Sequence, residues 1–266
     1  MELGLKGKSV IVTGGGSNIG RSIALAFAKE GSNVVIAELD DVQGEKVASQ
    51  ANALGAGGRC IVVKTDVTKL GEVENLAKKT VAEFGQVDVL VNNLGWDDPK
   101  LFLETDPEFW EKVISLNYRS VLNTLKTVLP LMIERKIGSI VSIGSDAGRI
   151  GEFREAVYAG TKGGVIALTK AVSREVGRYG IRLNVVCPGV TVPGPGEAGT
   201  ISMWKDDMAA AKFPPEVQAS LAKAFYPLRR LGKGEDLANA TVFLTSDAAS
   251  FITGQTLSVS GGYSMM

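Results

Sequence analysis

Short apolar, β-branched runs recur along this chain, each followed by a longer stretch of helical period; "SVIVT", "NVVIAE", "VDVLVNN" and "SIVSIG" are the clearest. Runs without polar alternation suit strands buried on both faces, and strands alternating with helices build a parallel sheet covered on both sides. Strands are expected near 9–13, 33–38, 59–64, 87–92, 139–143, 182–187 and 256–259. The expected fold is therefore α/β, a doubly wound parallel sheet of seven strands with helices on both faces, in a single domain over residues 1–266. The one break in composition is 188–215, rich in Pro and Gly and then briefly helical. Because the strand-like "TLSVSGG" still follows and must rejoin the sheet, the segment from about 190 to 226 reads as a lid over a site and not as a linker.

Lysine plus arginine (29) balances aspartate plus glutamate (29), so no overall field draws nucleic acid or an anionic membrane. No apolar run approaches the roughly 18 residues of a spanning helix. The chain reads as a soluble, cytoplasmic protein with neither nucleic acid nor membrane as partner. Cys60 in "RCIVV" and Cys187 in "LNVVCPG" sit in strand-like runs, as buried small hydrophobes do. There is no histidine and no paired-cysteine spacing, so no metal site is expected. The missing histidine also poses a question: what moves protons near neutral pH?

At 13–20 the chain reads "TGGGSNIG", directly after the first strand and opening the first helix. Backbone N–H groups and a helix dipole meet a dinucleotide pyrophosphate at such a place, and glycine lets the phosphate approach. Gly14, Ser17, Asn18, Ile19 and Gly20 are the residues of that turn. Glu38 closes the second strand about 20 residues on, where a carboxylate accepts from an adenosine ribose and repels a 2′-phosphate. NAD(H) is therefore expected over NADP(H).

Tyr158 and Lys162 in "YAGTK" lie side by side on one helix face, where the ammonium favours the phenolate. Ser145 ends the strand "SIVSIGS", at the carboxyl edge of the sheet where ligands of open α/β sheets bind.

The glycine turn, "DVT" at 66–68, "NNLG" at 92–95, Asn117, Ser145, "YAGTK" and "CPG" at 187–189 together resemble the short-chain dehydrogenase/reductase family over essentially the whole chain. The resemblance implies a Rossmann domain, commonly tetrameric, that binds NAD(H) or NADP(H) and interconverts alcohols and carbonyls. It implies that Asp66 and Val67 contact adenine, that Asn92 to Gly95, with Asn93, supports the sheet beside the cofactor, that Pro188 and Gly189 bind the cofactor, and that Thr191 approaches the nicotinamide amide. Three positions depart from the family pattern: Asn18 stands where glycine is usual, Pro193 where a threonine often contacts the cofactor, and Ser17 where many NADP users carry arginine.

In the chemistry so implied, Tyr158 takes the proton of an alcohol as hydride leaves its carbon. Bringing a phenol from about 10 to about 7 takes about 4 kcal/mol of preference for its anion, which a close ammonium and a positive nicotinamide ring supply in a partly dry site. Ser145 donates to the substrate oxygen, Lys162 also grips the nicotinamide ribose, and Asn117 supports a water chain that returns the proton to solvent.

"NNLGWD", "GSDAGRIGEFREAVYAGTKGG", "NVVCPG" and "FITGQTLSVSGG" resemble, more narrowly, the subgroup containing 2-hydroxycyclohexanecarboxyl-CoA dehydrogenase. That implies an alcohol on or beside a ring, with a CoA thioester or a free cyclic or terpene alcohol as alternatives. Trp96, Ala147, Glu155, Met203 and Trp204 are the candidate lining, and Arg149 and Arg154 are the basic residues CoA would call for at the mouth. Two further readings compete: a non-catalytic NAD-binding subunit of a hetero-oligomer, and a cofactor-retaining epimerase.

Overall fold

A computed structural model of the chain describes residues 2–200, 202, 204–205 and 213–266. Seven parallel strands form one sheet: β1 (Ser9–Thr13), β2 (Asn33–Glu38), β3 (Cys60–Lys64), β4 (Val89–Asn92), β5 (Gly138–Ile143), β6 (Ile181–Pro188) and β7 (Thr256–Val259), in the order β3-β2-β1-β4-β5-β6-β7. The expected strands are all present, within two residues at each end. The central β1 pairs on both sides, Val12 with Ile36 of β2 and with Val91 of β4.

The apolar runs are unbroken because the sheet is buried twice. Val10 and Val12 join one core with Val34 and Ile36, whereas Ile11 joins the other with Val35 and Ala37. On the first face lie α1 (Asn18–Lys29), α2 (Asp41–Asn52) and, late in the chain, α9 (Gly234–Thr245); α1 and α9 pack against each other. On the second lie α3 (Leu70–Phe84), α5 (Ser120–Arg135) and α7 (Ala156–Val176). Both cysteines are buried and free, and burial pushes each thiol up to about 12.

Between β4 and α5 the chain forms α4 (Pro107–Ile114), started by Asp106, whose carboxylate accepts from Phe109 N–H, and then a π turn over Ser115–Arg119. Such a turn inserts a residue into the helical ladder and re-aims a side chain, often at a functional site. A single helical turn, α6 (Ala147–Ile150), follows β5, and α8 (Pro215–Phe225) precedes α9. Among the described residues, no helix is long and apolar enough to cross a membrane.

Candidate active site

The strand order reverses beside β1, with β2 on one side and β4 on the other, and a cleft opens over the carboxyl ends of these strands. Its volume is about 600 Å³.

The β1–α1 turn forms the floor of one end. Gly14 has φ +61°, and Asn18 has φ +42°, the left-handed region that asparagine tolerates better than most residues; this is how the chain manages without glycine there. Gly20 must be glycine for packing, since a Cβ would lie 2.0 Å from the Gly14 carbonyl oxygen. Asn93 clamps the turn from β4, its Nδ2 donating to the carbonyls of Thr13 and Gly14 at 3.0 Å each. The Asn18 side-chain oxygen is buried without a partner.

Glu38 stands at the carboxyl end of β2, and one carboxylate oxygen accepts from Gly16 N–H at 2.9 Å while the other accepts from Leu39 N–H at 2.9 Å. Gly16 leaves room for it, because a Cβ there would sit 2.7 Å from Glu38 Oε2. Burial raises the Glu38 carboxyl, against the pull of these N–H groups. Ala37, Leu39, Thr65, Asp66 and Val67 complete this end of the wall, and among the described residues no lysine or arginine lines it. Backbone donors, glycine floor and carboxylate are a donor set that fits an adenine dinucleotide.

A segment of the 190s lies across the turn. Glu197 accepts from Asn18 N–H through its carbonyl at 2.9 Å and pairs with Arg21 Nη1 at 2.7 Å, while Thr200 donates to Asp40 at 2.5 Å.

At the other end of the cleft, β5 delivers Ser145 and α7 delivers Tyr158 and Lys162. The Ser145 hydroxyl accepts from Ala147 N–H at 3.1 Å and sits beside the Tyr158 phenol, where it favours the anion. Lys162 is buried, its Nζ donating to the Ile143 carbonyl at 2.9 Å and lying 5.6 Å from the centre of the Tyr158 ring. Burial lowers this ammonium to about 8, so it stays mostly cationic at neutral pH.

Tyr158 differs from the expectation. Burial pushes its phenol above the ordinary value, Glu155 pushes it further, the Ser145 hydroxyl opposes this, and Asp97 adds to the rise. Lys162 by itself does not overcome these effects, because its Nζ is directed to the Ile143 carbonyl.

Asn117, carried by the π turn, is fully buried and does not touch the cleft; its Nδ2 donates to the carbonyls of Trp96 and Val113 at 2.7 and 2.9 Å, and its Oδ1 accepts from Trp96 N–H at 3.1 Å. One lone pair of that oxygen remains for a further donor. A Cβ on Gly95 would fall 3.1 Å from Asn117 Oδ1 and 3.3 Å from Lys162 Nζ, so glycine is what lets these two approach.

Every residue assigned to the cofactor lines the cleft, as do Ser145 and the substrate candidates Trp96, Ala147, Glu155 and Trp204; Met203 lies outside the described residues. Thr191 is buried and bridges to Gly232, and the Tyr226 hydroxyl accepts from Val190 N–H at 2.9 Å, which fixes the strand β6 exit. Arg149 and Arg154 do not form the expected basic mouth. Arg149 turns to Asp146 at 3.5 Å, Arg154 donates to the Pro99 carbonyl at 3.3 Å, and neither lines the cleft.

Sequence reasoning missed Asp97, Glu152, Phe213 and Tyr263, all on the wall. The Tyr263 hydroxyl donates to Glu152, and Trp204 meets Phe213 edge-on at 5.7 Å. "WDD" after "NNLG" carried a signal for Asp97, whereas Tyr263 reaches the site only through the chain's last turn.

Comparison with known proteins adds a family. The family described as Enoyl-(Acyl carrier protein) reductase, a short-chain dehydrogenase group, matches residues 14–264. The chain is 38% identical over 260 residues to the 3-oxoacyl-[acyl-carrier-protein] reductase FabG of Staphylococcus epidermidis, covering 97% of this chain and 99% of that protein. It is 35% identical over 264 residues to the FabG of Escherichia coli K12, covering 99% and 100%.

Proposed function

We propose, from the premise that this chain belongs to the short-chain dehydrogenase/reductase family, that it interconverts a secondary alcohol on or beside a ring with its ketone, using NAD(H). The observation that carries the reading is one cleft with Ser145, Tyr158 and Lys162 at one end and the glycine turn with Glu38 at the other.

When bound, an oxidised nicotinamide supplies the hydride acceptor and a positive ring charge. The chain's own residues do the rest. Tyr158 takes the hydroxyl proton, Ser145 donates to the substrate oxygen and holds it near the phenol, and the buried Lys162 provides the fixed positive charge beside them. Glu38 favours NAD over NADP, because a 2′-phosphate would meet a buried carboxylate with, among the described residues, no basic side chain on that wall. Asn117 acts through Trp96 and Lys162's surroundings and is a positioning residue. By family analogy the assembly is a homotetramer.

A second reading, reduction of a 3-oxoacyl thioester, is favoured by the relatives, which match along their whole length. A CoA thioester loses the support that Arg149 and Arg154 would have given at the mouth, since both are engaged elsewhere. The test is NADH formation from NAD⁺ or NADP⁺ with ring alcohols, set against oxidation of NADH or NADPH with 3-oxoacyl thioesters. Turnover of ring alcohols with NAD⁺ supports the first reading; activity confined to acyl thioesters overturns it, and no turnover of either would return the chain to the class of cofactor-binding subunits.

A further inference from the structure

The wall opposite the nucleotide end holds three carboxyl groups, Asp97, Glu152 and Glu155, and among the described residues no lysine or arginine forms an ion pair with them. Asp97 is 6% exposed, faces the cleft and leaves its Oδ2 with no hydrogen-bond partner. A buried carboxylate oxygen left unpaired in water-poor surroundings is expensive, so such a group in a binding cleft points to a ligand that completes it. Among the described residues two basic groups line the cleft, and both are engaged elsewhere: Lys162 with the Ile143 carbonyl, and Lys112 with the face of Trp96 at 3.8 Å. The carboxyls do not converge as a metal set, since among the described residues no three such groups do. The remaining wall is aromatic, with Trp96, Trp204 and Phe213, surfaces that favour an organic cation.

We infer that the substrate of this cleft carries a positively charged nitrogen, held by the carboxylates of Asp97 and Glu155 in the wall that also presents Trp96, Trp204 and Phe213. The inference rests on the proposed reading of the site and narrows its substrate to an amino alcohol or amino ketone. It also accounts for an otherwise adverse arrangement. Glu155 and Asp97 both hold the Tyr158 phenol up, which opposes its use as a base. A substrate ammonium seated between them and the phenol offsets that field on binding, so that the base is released by the molecule it acts on.

The test is binding, measured on the full-length protein by tryptophan fluorescence and by calorimetry, with three probes of one ring: cyclohexylammonium, cyclohexanol and cyclohexanecarboxylate. Cyclohexylammonium is expected to bind about tenfold or more tightly than cyclohexanol, the order of one charge-assisted contact. Asp97→Asn and Glu155→Gln should each remove most of that preference, read as the ratio of cyclohexylammonium to cyclohexanol affinity within each variant. Equal affinity for ammonium and alcohol, tighter binding of the carboxylate, or variants that keep the full ammonium preference would overturn the inference. Because the wild-type comparison of three probes stands alone, a variant that fails to fold does not shelter it. Oxidation of neutral ring alcohols without ammonium preference sinks this inference only; ammonium binding without any NAD⁺ reduction sinks only the proposed reaction.

Discussion

The side-chain amide of Asn117 closes on both backbone polar groups of Trp96, accepting from its N–H at 3.1 Å and donating to its carbonyl at 2.7 Å. Removing it leaves those two groups without their partner at the root of the cleft wall. Asn117→Ala is expected to destabilise the fold by about 2–4 kcal/mol, read by denaturant melts, and to lower kcat more than it raises cofactor KM. Wild-type stability in that variant would show that the two bonds hold nothing in place.

Glu38 separates the two cofactors by charge and position. Glu38→Ala should raise KM for NAD⁺ about tenfold and bring NADP⁺ within reach, narrowing the ratio of kcat/KM values between the two. An unchanged ratio would remove the carboxylate from cofactor choice.

The Glu197 strap covers a backbone donor that a pyrophosphate would use. Asn18 N–H is already satisfied by the Glu197 carbonyl, and Arg21 secures the strap through the Glu197 carboxylate. Glu197→Ala should therefore speed cofactor association and tighten it by a few-fold, roughly the 0.5–1 kcal/mol of a part-buried ion pair. Stopped-flow fluorescence checks this, and slower association would mean that the strap helps to form the site.

Burial raises the Asp97 carboxyl to about 6 and the Glu155 carboxyl to about 7. The folded chain then holds more protons than the unfolded chain between the ordinary values, 3.8 and 4.5, and these raised ones. The associated stability is full at the acid end and is lost as pH climbs through about 6 to 7. Thermal melts should show Tm falling across that window. Asp97→Asn and Glu155→Gln should flatten the fall and add on the order of 1 kcal/mol at neutral pH, well short of full conversion, since local rearrangement and cleft water relax the charged forms.

The strands were legible because burial on both faces leaves runs such as "SVIVT" with no polar position, and helical stretches between parallel strands leave little freedom in their order. The ends of the cleft were legible for a related reason: "TGGGSNIG", Glu38, Ser145 and "YAGTK" each sit at a strand end or on the helix that follows one. The acidic wall was not. Asp97, Glu152, Glu155 and Tyr263 come from three separate stretches, and their electrostatic meaning arises only when the fold buries them together. The direction of the Tyr158 shift was hidden for the same reason, because adjacency to Lys162 is local whereas desolvation and the field of Asp97 are not. Asn117 shows a third case: the family resemblance marked the position, but the π turn that aims it at Trp96 is visible only in three dimensions.

The proton-transfer role of Tyr158 is tested most directly by Tyr158→Phe, with turnover and NAD⁺ affinity measured on the same preparation. The expected result is a fall in kcat of at least about 10²–10⁴-fold, with the NAD⁺ dissociation constant within about a factor of two of wild type. Retention of most of the turnover, with cofactor binding intact, would contradict that role.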